Sequence, residues 1–150
     1  MEDGRPRILI AAPAAVIRQL GSLFAGEADI TGAETFDEAV ATLQELEPDL
    51  IIVCYAFDEV RPFRLLHYVR HEWHGENIPR ILVRALPIPL GDTQEAQIRE
   101  SYKTLGVDEF CNLQDQARRD GTEAALREFR HTVISRLPRP EDAPPQASSA

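Results

Sequence analysis

Four groups of residues have types and spacings that invite chemistry. His67, His71 and His74 recur at i, i+4 and i+7, which on a helix puts three imidazoles on one face. Such a face could take zinc, nickel or copper with a position left open, although three solvated histidines need no metal to explain them. Cys54 closes the most apolar run in the chain, and Arg84 closes another. If the two side chains met, the guanidinium would lower the thiol pKa and make a redox sensor; otherwise Cys54 is a buried thiol filling space. The second cysteine, Cys111, belongs to a run two strands away, beyond disulfide reach. Arg61-Pro62-Phe63-Arg64 and Arg118-Arg119 are short basic clusters with acidic neighbours, read as solvated surface.

Other chemistries lack their parts. There is no Gly-x-Ser-x-Gly elbow and no Gly-Lys-Ser/Thr loop. The turn Pro13-Ala14-Ala15 lacks the glycines that let a backbone approach a phosphate. No cofactor or metal is therefore expected, and no enzymatic activity. The formal charge of −9 over 150 residues disfavours non-specific nucleic-acid binding, which needs clustered Lys and Arg. No apolar run approaches the ~20 residues of a membrane helix. The N-terminus has neither the basic start nor the cleavage pattern of a signal peptide. These features predict a cytoplasmic protein that contacts neither membrane nor nucleic acid.

The elements that must position these residues alternate. Ile8–Ala12 is an apolar run stopped by Pro13. A helical stripe of Val16, Ile17, Leu20, Leu23 and Phe24 follows. A weaker strand spans 29–34, and Thr35 with Glu38 makes a capping box for a helix carrying Ala39, Val40, Leu43 and Leu46. The run 50–56 is apolar without alternation, as in a central parallel strand covered on both faces. A helix over 62–73, a strand at 81–83, a helix opening at Asp92, a strand over 107–113 and a last helix from Thr122 complete the pattern. Five strands alternating with five helices predict an α/β domain with a doubly wound, five-stranded parallel sheet. The flavodoxin-like order 2-1-3-4-5 suits this length. The domain is expected over residues 1–137. Residues 138–150, rich in Pro, Ala and Ser, are expected to form a disordered tail.

Three phrases carry a family resemblance. Pro48-Asp49-Leu50-Ile51-Ile52-Val53, Ile78-Pro79-Arg80-Ile81-Leu82-Val83 and Leu105-Gly106-Val107-Asp108-Glu109-Phe110 resemble the third, fourth and fifth strand regions of bacterial response-regulator receiver domains. The resemblance covers about residues 5 to 137. It implies two-component signalling by phosphoryl transfer from a histidine kinase to an aspartate, with a divalent cation, a hydroxyl residue and a lysine around it.

Carried over position by position, that chemistry is missing. The acidic pair falls on Ala12 and Pro13, the acceptor on Cys54, the hydroxyl on Arg84 and the lysine on Leu113. The nearest carboxylates, Asp58 and Glu59, lie in the following loop. The resemblance thus implies a pseudo-receiver: a non-phosphorylatable, stand-alone adaptor that acts by binding a protein partner. It further implies an output or homodimer face formed by the fourth helix, fifth strand and last helix, around Tyr102 and Phe110. The alternative is a small-molecule or redox sensor using a degenerate pocket around Cys54 and Arg84.

Overall fold

In the computed structural model, residues 4–75 and 77–138 are described. The strands are β1 (Arg7–Ala11), β2 (Asp29–Ala33), β3 (Leu50–Cys54), β4 (Arg80–Arg84) and β5 (Glu109–Asn112). All pair in parallel, in the order β2-β1-β3-β4-β5. Parallel neighbours need crossovers, and four helices supply them: α1 (Ala14–Gly21), α2 (Phe36–Glu45), α3 (Pro62–His71) and α4 (Asp92–Thr104); α5 (Leu113–Asp120) and α6 (Thr122–Arg136) follow β5. This is the doubly wound arrangement expected from the sequence.

Each central strand is buried on both faces, so alternate side chains enter two separate cores. Leu50, Ile52 and Cys54 of β3 join Val16 and Leu20 of α1 and Phe129 and Val133 of α6. Ile51 and Val53 join Ala39 and Leu43 of α2, Leu65, Leu66 and Val69 of α3, and Ile98 of α4. The missing alternation in the sequence of β3 is therefore the direct result of double coverage.

Four local expectations change. The stripe from Val16 to Phe24 is broken: α1 stops at Gly21, and a 3₁₀ turn at Ser22–Phe24 finishes the run. The capping box is displaced by one residue. Thr35 Oγ1 accepts from the Glu38 amide at 3.2 Å, but the Glu38 carboxylate accepts from the Glu34 amide rather than that of Thr35. The fifth strand is shorter than expected, because Leu113 opens a helix instead of ending a strand. That helix, α5, makes six among the described residues in place of the expected five. Its sequence offers only Leu113 and Ala117 to the core, too few apolar positions to show a period. Residues 139–150 of the expected tail lie outside the described residues.

β4 carries an arginine at each end on one face. Arg80 is 2% exposed. Its guanidinium donates to the carbonyls of Gly106 (3.2 Å) and Gly75, and its backbone exchanges bonds with Asp108. Gly106 sits at φ +71°, and a Cβ there would run into the guanidinium, so only glycine fits.

The β3–α3 connection is a single left-handed turn. Asp58, Glu59 and Val60 have φ of 51°, 62° and 59°. Left-handed backbone costs an L-residue roughly 1–2 kcal/mol, and a β-branched residue tolerates it least. The turn is held at its ends, where Phe57 is fully buried and the Arg61 amide donates to the Phe57 carbonyl at 2.9 Å. Val60 is 40% exposed, so little packing would be lost with its side chain. Val60→Gly should therefore stabilise the domain by about 0.5–1 kcal/mol, the relief of strain exceeding the extra chain entropy of glycine. Urea unfolding of the two proteins measures this.

Candidate functional site

The carboxyl ends of the strands form the edge where ligands bind in open parallel sheets. Ala12 follows β1 there, fully buried, its amide bonded to the Ala33 carbonyl at 3.0 Å. Pro13 is the N-cap of α1 and contributes no side-chain cap. Cys54 ends β3, paired with Val83, and is fully buried. Arg84 ends β4, paired with Asn112. Leu113, 5% exposed, begins α5.

Cys54 and Arg84 do not meet. Cys54 packs with Val83 and Ala85 in the α1/α6 core, whereas Leu82, two residues before Arg84, packs in the opposite core. Strand alternation then sets the guanidinium on the face away from the thiol. Burial pushes the Cys54 thiol up, opposed only by the backbone of Ala56 and Ala85, with no contribution from Arg84. Cys111 is pushed up to about 12, first by burial and then by the charge of Glu109. Neither thiol has the electropositive setting of a reactive cysteine. The cysteine–arginine pairing behind the sensor reading fails on geometry.

Arg84 instead organises the edge on its own face. Its side chain is 10% exposed. Nε donates to the Ile88 carbonyl at 2.8 Å and Nη1 to Asn112 Oδ1 at 3.1 Å. Asp115 Oδ1 lies 3.5 Å from Nη1 and accepts from Arg118 at 2.7 Å. Asn112 is the hub. Its Oδ1 also caps α5 by accepting from the Asp115 amide at 3.1 Å, and its Nδ2 donates to the Asp115 carboxylate. Gln114 Nε2 closes the edge by donating to the Ala85 carbonyl at 3.0 Å. The Tyr55 hydroxyl is raised by burial, with the positive charge of Arg84 opposing.

Asn112, Gln114 and Asp115 were not singled out from the sequence. The available signal was Asn112 three residues before Asp115, an N-cap pattern preceding too weak a helix to notice.

The loop carboxylates are committed elsewhere. Asp58 Oδ2 accepts from the Phe36 amide at the start of α2 (3.3 Å), and Oδ1 accepts from Arg61 (3.4 Å). A carboxylate is favoured there by the helix dipole. The Glu59 side chain is 85% exposed, 3.8 Å from the same arginine.

Tyr102, 42% exposed, lines a cleft of about 190 Å³ with Phe110, Leu90, Ile98, Glu95 and Arg99. Burial of the Tyr102 hydroxyl raises its pKa, and the Phe110 backbone opposes this. His67 and His71 touch on α3, their ring centroids 4.4 Å apart, but the helix ends at His71 and His74 turns away at φ +60°. The expected face of three imidazoles is therefore reduced to two. Among the described residues, no group of three or more His, Cys, Asp or Glu is placed to hold a metal ion.

Two measurements test this edge. Arg84→Ala should cost about 2 kcal/mol in urea unfolding, the worth of charge-assisted bonds to Ile88 and Asn112, with the half-exposed Asp115 adding little. Arg84→Lys should recover only part, because an ammonium cannot span both acceptors. The thiols give a pH signature. A folded pKa above the unfolded value stabilises the protein below the unfolded pKa and loses that stability as pH rises through the folded one. For Cys111 stability should fall between pH 9.0 and about 12. Cys111→Ser should flatten that decline, as read by unfolding at stepped pH.

Neither a family model nor a curated protein matches the chain. Solved structures do. The chemotaxis response regulator CheY4 of Vibrio cholerae is 14% identical over 89% of this chain and 99% of its own, with a TM-score of 0.63. The phosphorylated cyanobacterial phytochrome response regulator RcpA is 15% identical over 86% and 91%, with a TM-score of 0.66. A signal receiver domain of an HD domain-containing protein from Pseudomonas fluorescens is 20% identical over 91% and 97%, with a TM-score of 0.59. Among the described residues no helix is long and apolar enough to cross a membrane. With the strand order and both helical layers in place, the chain has the fold of response-regulator receiver domains.

Proposed function

We propose that this chain is a pseudo-receiver: a cytoplasmic, non-enzymatic signalling adaptor that takes no phosphoryl group and works by docking a protein partner. One observation carries the reading. The edge where a receiver would assemble an acceptor, a cation and a lysine carries instead Ala12, Pro13, buried Cys54, Arg84 and Leu113, tied off by the bonds of Arg84 and Gln114. Divalent cations need oxygen ligands, and phosphoryl transfer needs an oxygen nucleophile in line with the donor. Of the carboxylates around this edge, Asp115 is paired with Arg84 and Arg118, and Asp58 is bound to α2 and Arg61.

Docking is assigned to the groove between α4 and β5. Leu90, Ile98, Tyr102 and Phe110 give it an apolar floor, and Glu95 and Arg99 supply charges for orientation. The last helix adjoins this face through the Arg136–Glu109 ion pair at 2.8 Å. A second copy of the chain would use the same face for a homodimer. A specific complex should bury roughly 800 Å² on each side. The bonds of Arg84 to the loop after β4 and to Asn112 support an output face held in one arrangement. A receiver, by contrast, changes its face on phosphorylation.

Incubation with acetyl phosphate and magnesium, followed by intact mass spectrometry, tests the first half. The expected result is an unchanged mass, and a stoichiometric phosphoryl adduct would overturn the reading. For the second half, Tyr102→Ala and Arg99→Ala should each weaken partner capture or self-association while leaving thermal unfolding nearly unchanged. Capture that survives both substitutions would move the docking site elsewhere.

A further inference from the structure

Helix α3 presents two contacting imidazoles to solvent, and the docking function makes no use of them. Leu65, Leu66 and Val69 of the same helix are fully buried, which leaves His67 and His71 on its outer side. Their ring centroids lie 4.4 Å apart and the rings are inclined at 48°. They are therefore not stacked flat, and their nitrogen-bearing edges can turn toward a common point. Arg64, one turn earlier, does not interfere: its guanidinium is held 3.9 Å from the centre of the Phe36 ring. The third histidine is out of reach, because the chain leaves the helix before His74.

Two rings at this spacing can share one ion. Two imidazoles bound at ~2.0 Å with a right angle at the metal hold their ring centres about 4.5 Å apart. A tetrahedral angle would hold them about 5.2 Å apart. The observed 4.4 Å between the free rings lets both reach one ion, including ions of square-planar or octahedral preference such as copper(II) and nickel(II). Such ions also stand highest in the order of divalent affinities for nitrogen ligands, with copper(II) above nickel(II).

We propose that His67 and His71 form a bidentate surface chelate for a divalent ion of the copper(II) or nickel(II) class, its remaining positions filled by water. The site is independent of the docking groove, which lies between α4 and β5.

Calorimetry with the full chain at neutral pH, in a buffer that does not bind metals, tests the proposal with copper(II), nickel(II) and zinc(II) salts. The expected result is one saturable site with copper tightest and zinc weakest. His67→Ala and His71→Ala should each weaken copper binding at least about tenfold, as loss of even an outer partner commonly does. His74→Ala should leave it unchanged. Copper electron paramagnetic resonance should show coupling to two imidazole nitrogens and lose it in either variant. Because both side chains are exposed, thermal unfolding without metal should be unaffected, which separates loss of a ligand from loss of the fold. Three results would each overturn the proposal: no saturable binding, binding undiminished in the double variant, or zinc binding more tightly than copper.

Discussion

The guanidinium of Arg84 is the constraint on which the carboxyl edge of the sheet depends. A charge that is nine-tenths buried must find fixed acceptors, since leaving it unpaired would cost several kcal/mol. It takes the Ile88 carbonyl from the loop after β4 and the Asn112 amide oxygen from the end of β5. Asn112 in turn caps α5 through the Asp115 amide. One side chain thus ties together a loop, an edge strand and the start of a helix. The groove at Tyr102 and Phe110 inherits this order, because Leu90 of the same loop and Asn112 itself line it.

Arg80 does the corresponding work at the other end of β4. Its guanidinium joins Gly75, in the approach to β4, to Gly106, in the approach to β5. A residue that begins a strand and one that ends it lie on the same face when four positions apart. β4 therefore carries a polar tether at both ends and the apolar run Ile81-Leu82-Val83 between them, which serves both cores. Hydrogen bonds position the loops at the ends, while burial of apolar surface stabilises the middle.

The two-core arrangement also explains why the neighbours of Cys54 matter more than its place in the chain. Cys54 and Tyr55 are adjacent, yet the thiol enters the α1/α6 core and the tyrosine the other. Arg84 influences Tyr55 and not Cys54. A single pleat decides which of two neighbours shares an environment with a charge.

The fold class and the main helices were legible in the sequence, because double burial leaves long apolar runs and the crossovers leave amphipathic ones; the strand order was suggested by chain length, and the pairing of the strands in the structure fixed it. The family resemblance pointed to Ala12, Pro13, Cys54, Arg84 and Leu113 as the pocket positions, and the structure places them at the carboxyl ends of β1, β3, β4 and β5. Three matters were left to the tertiary structure. The separation of Cys54 from Arg84 follows from the register of β3 against β4, which pattern alone does not fix. Helix α5 is held by the Asn112 cap and contacts with α6 and the sheet rather than by a periodic stripe of its own. The reduction of three histidines to two depends on where α3 ends, at His71, a boundary that intrinsic propensity places only loosely. In each case the deciding interaction joins residues remote in the chain or lies at an element's end, where local sequence carries least information.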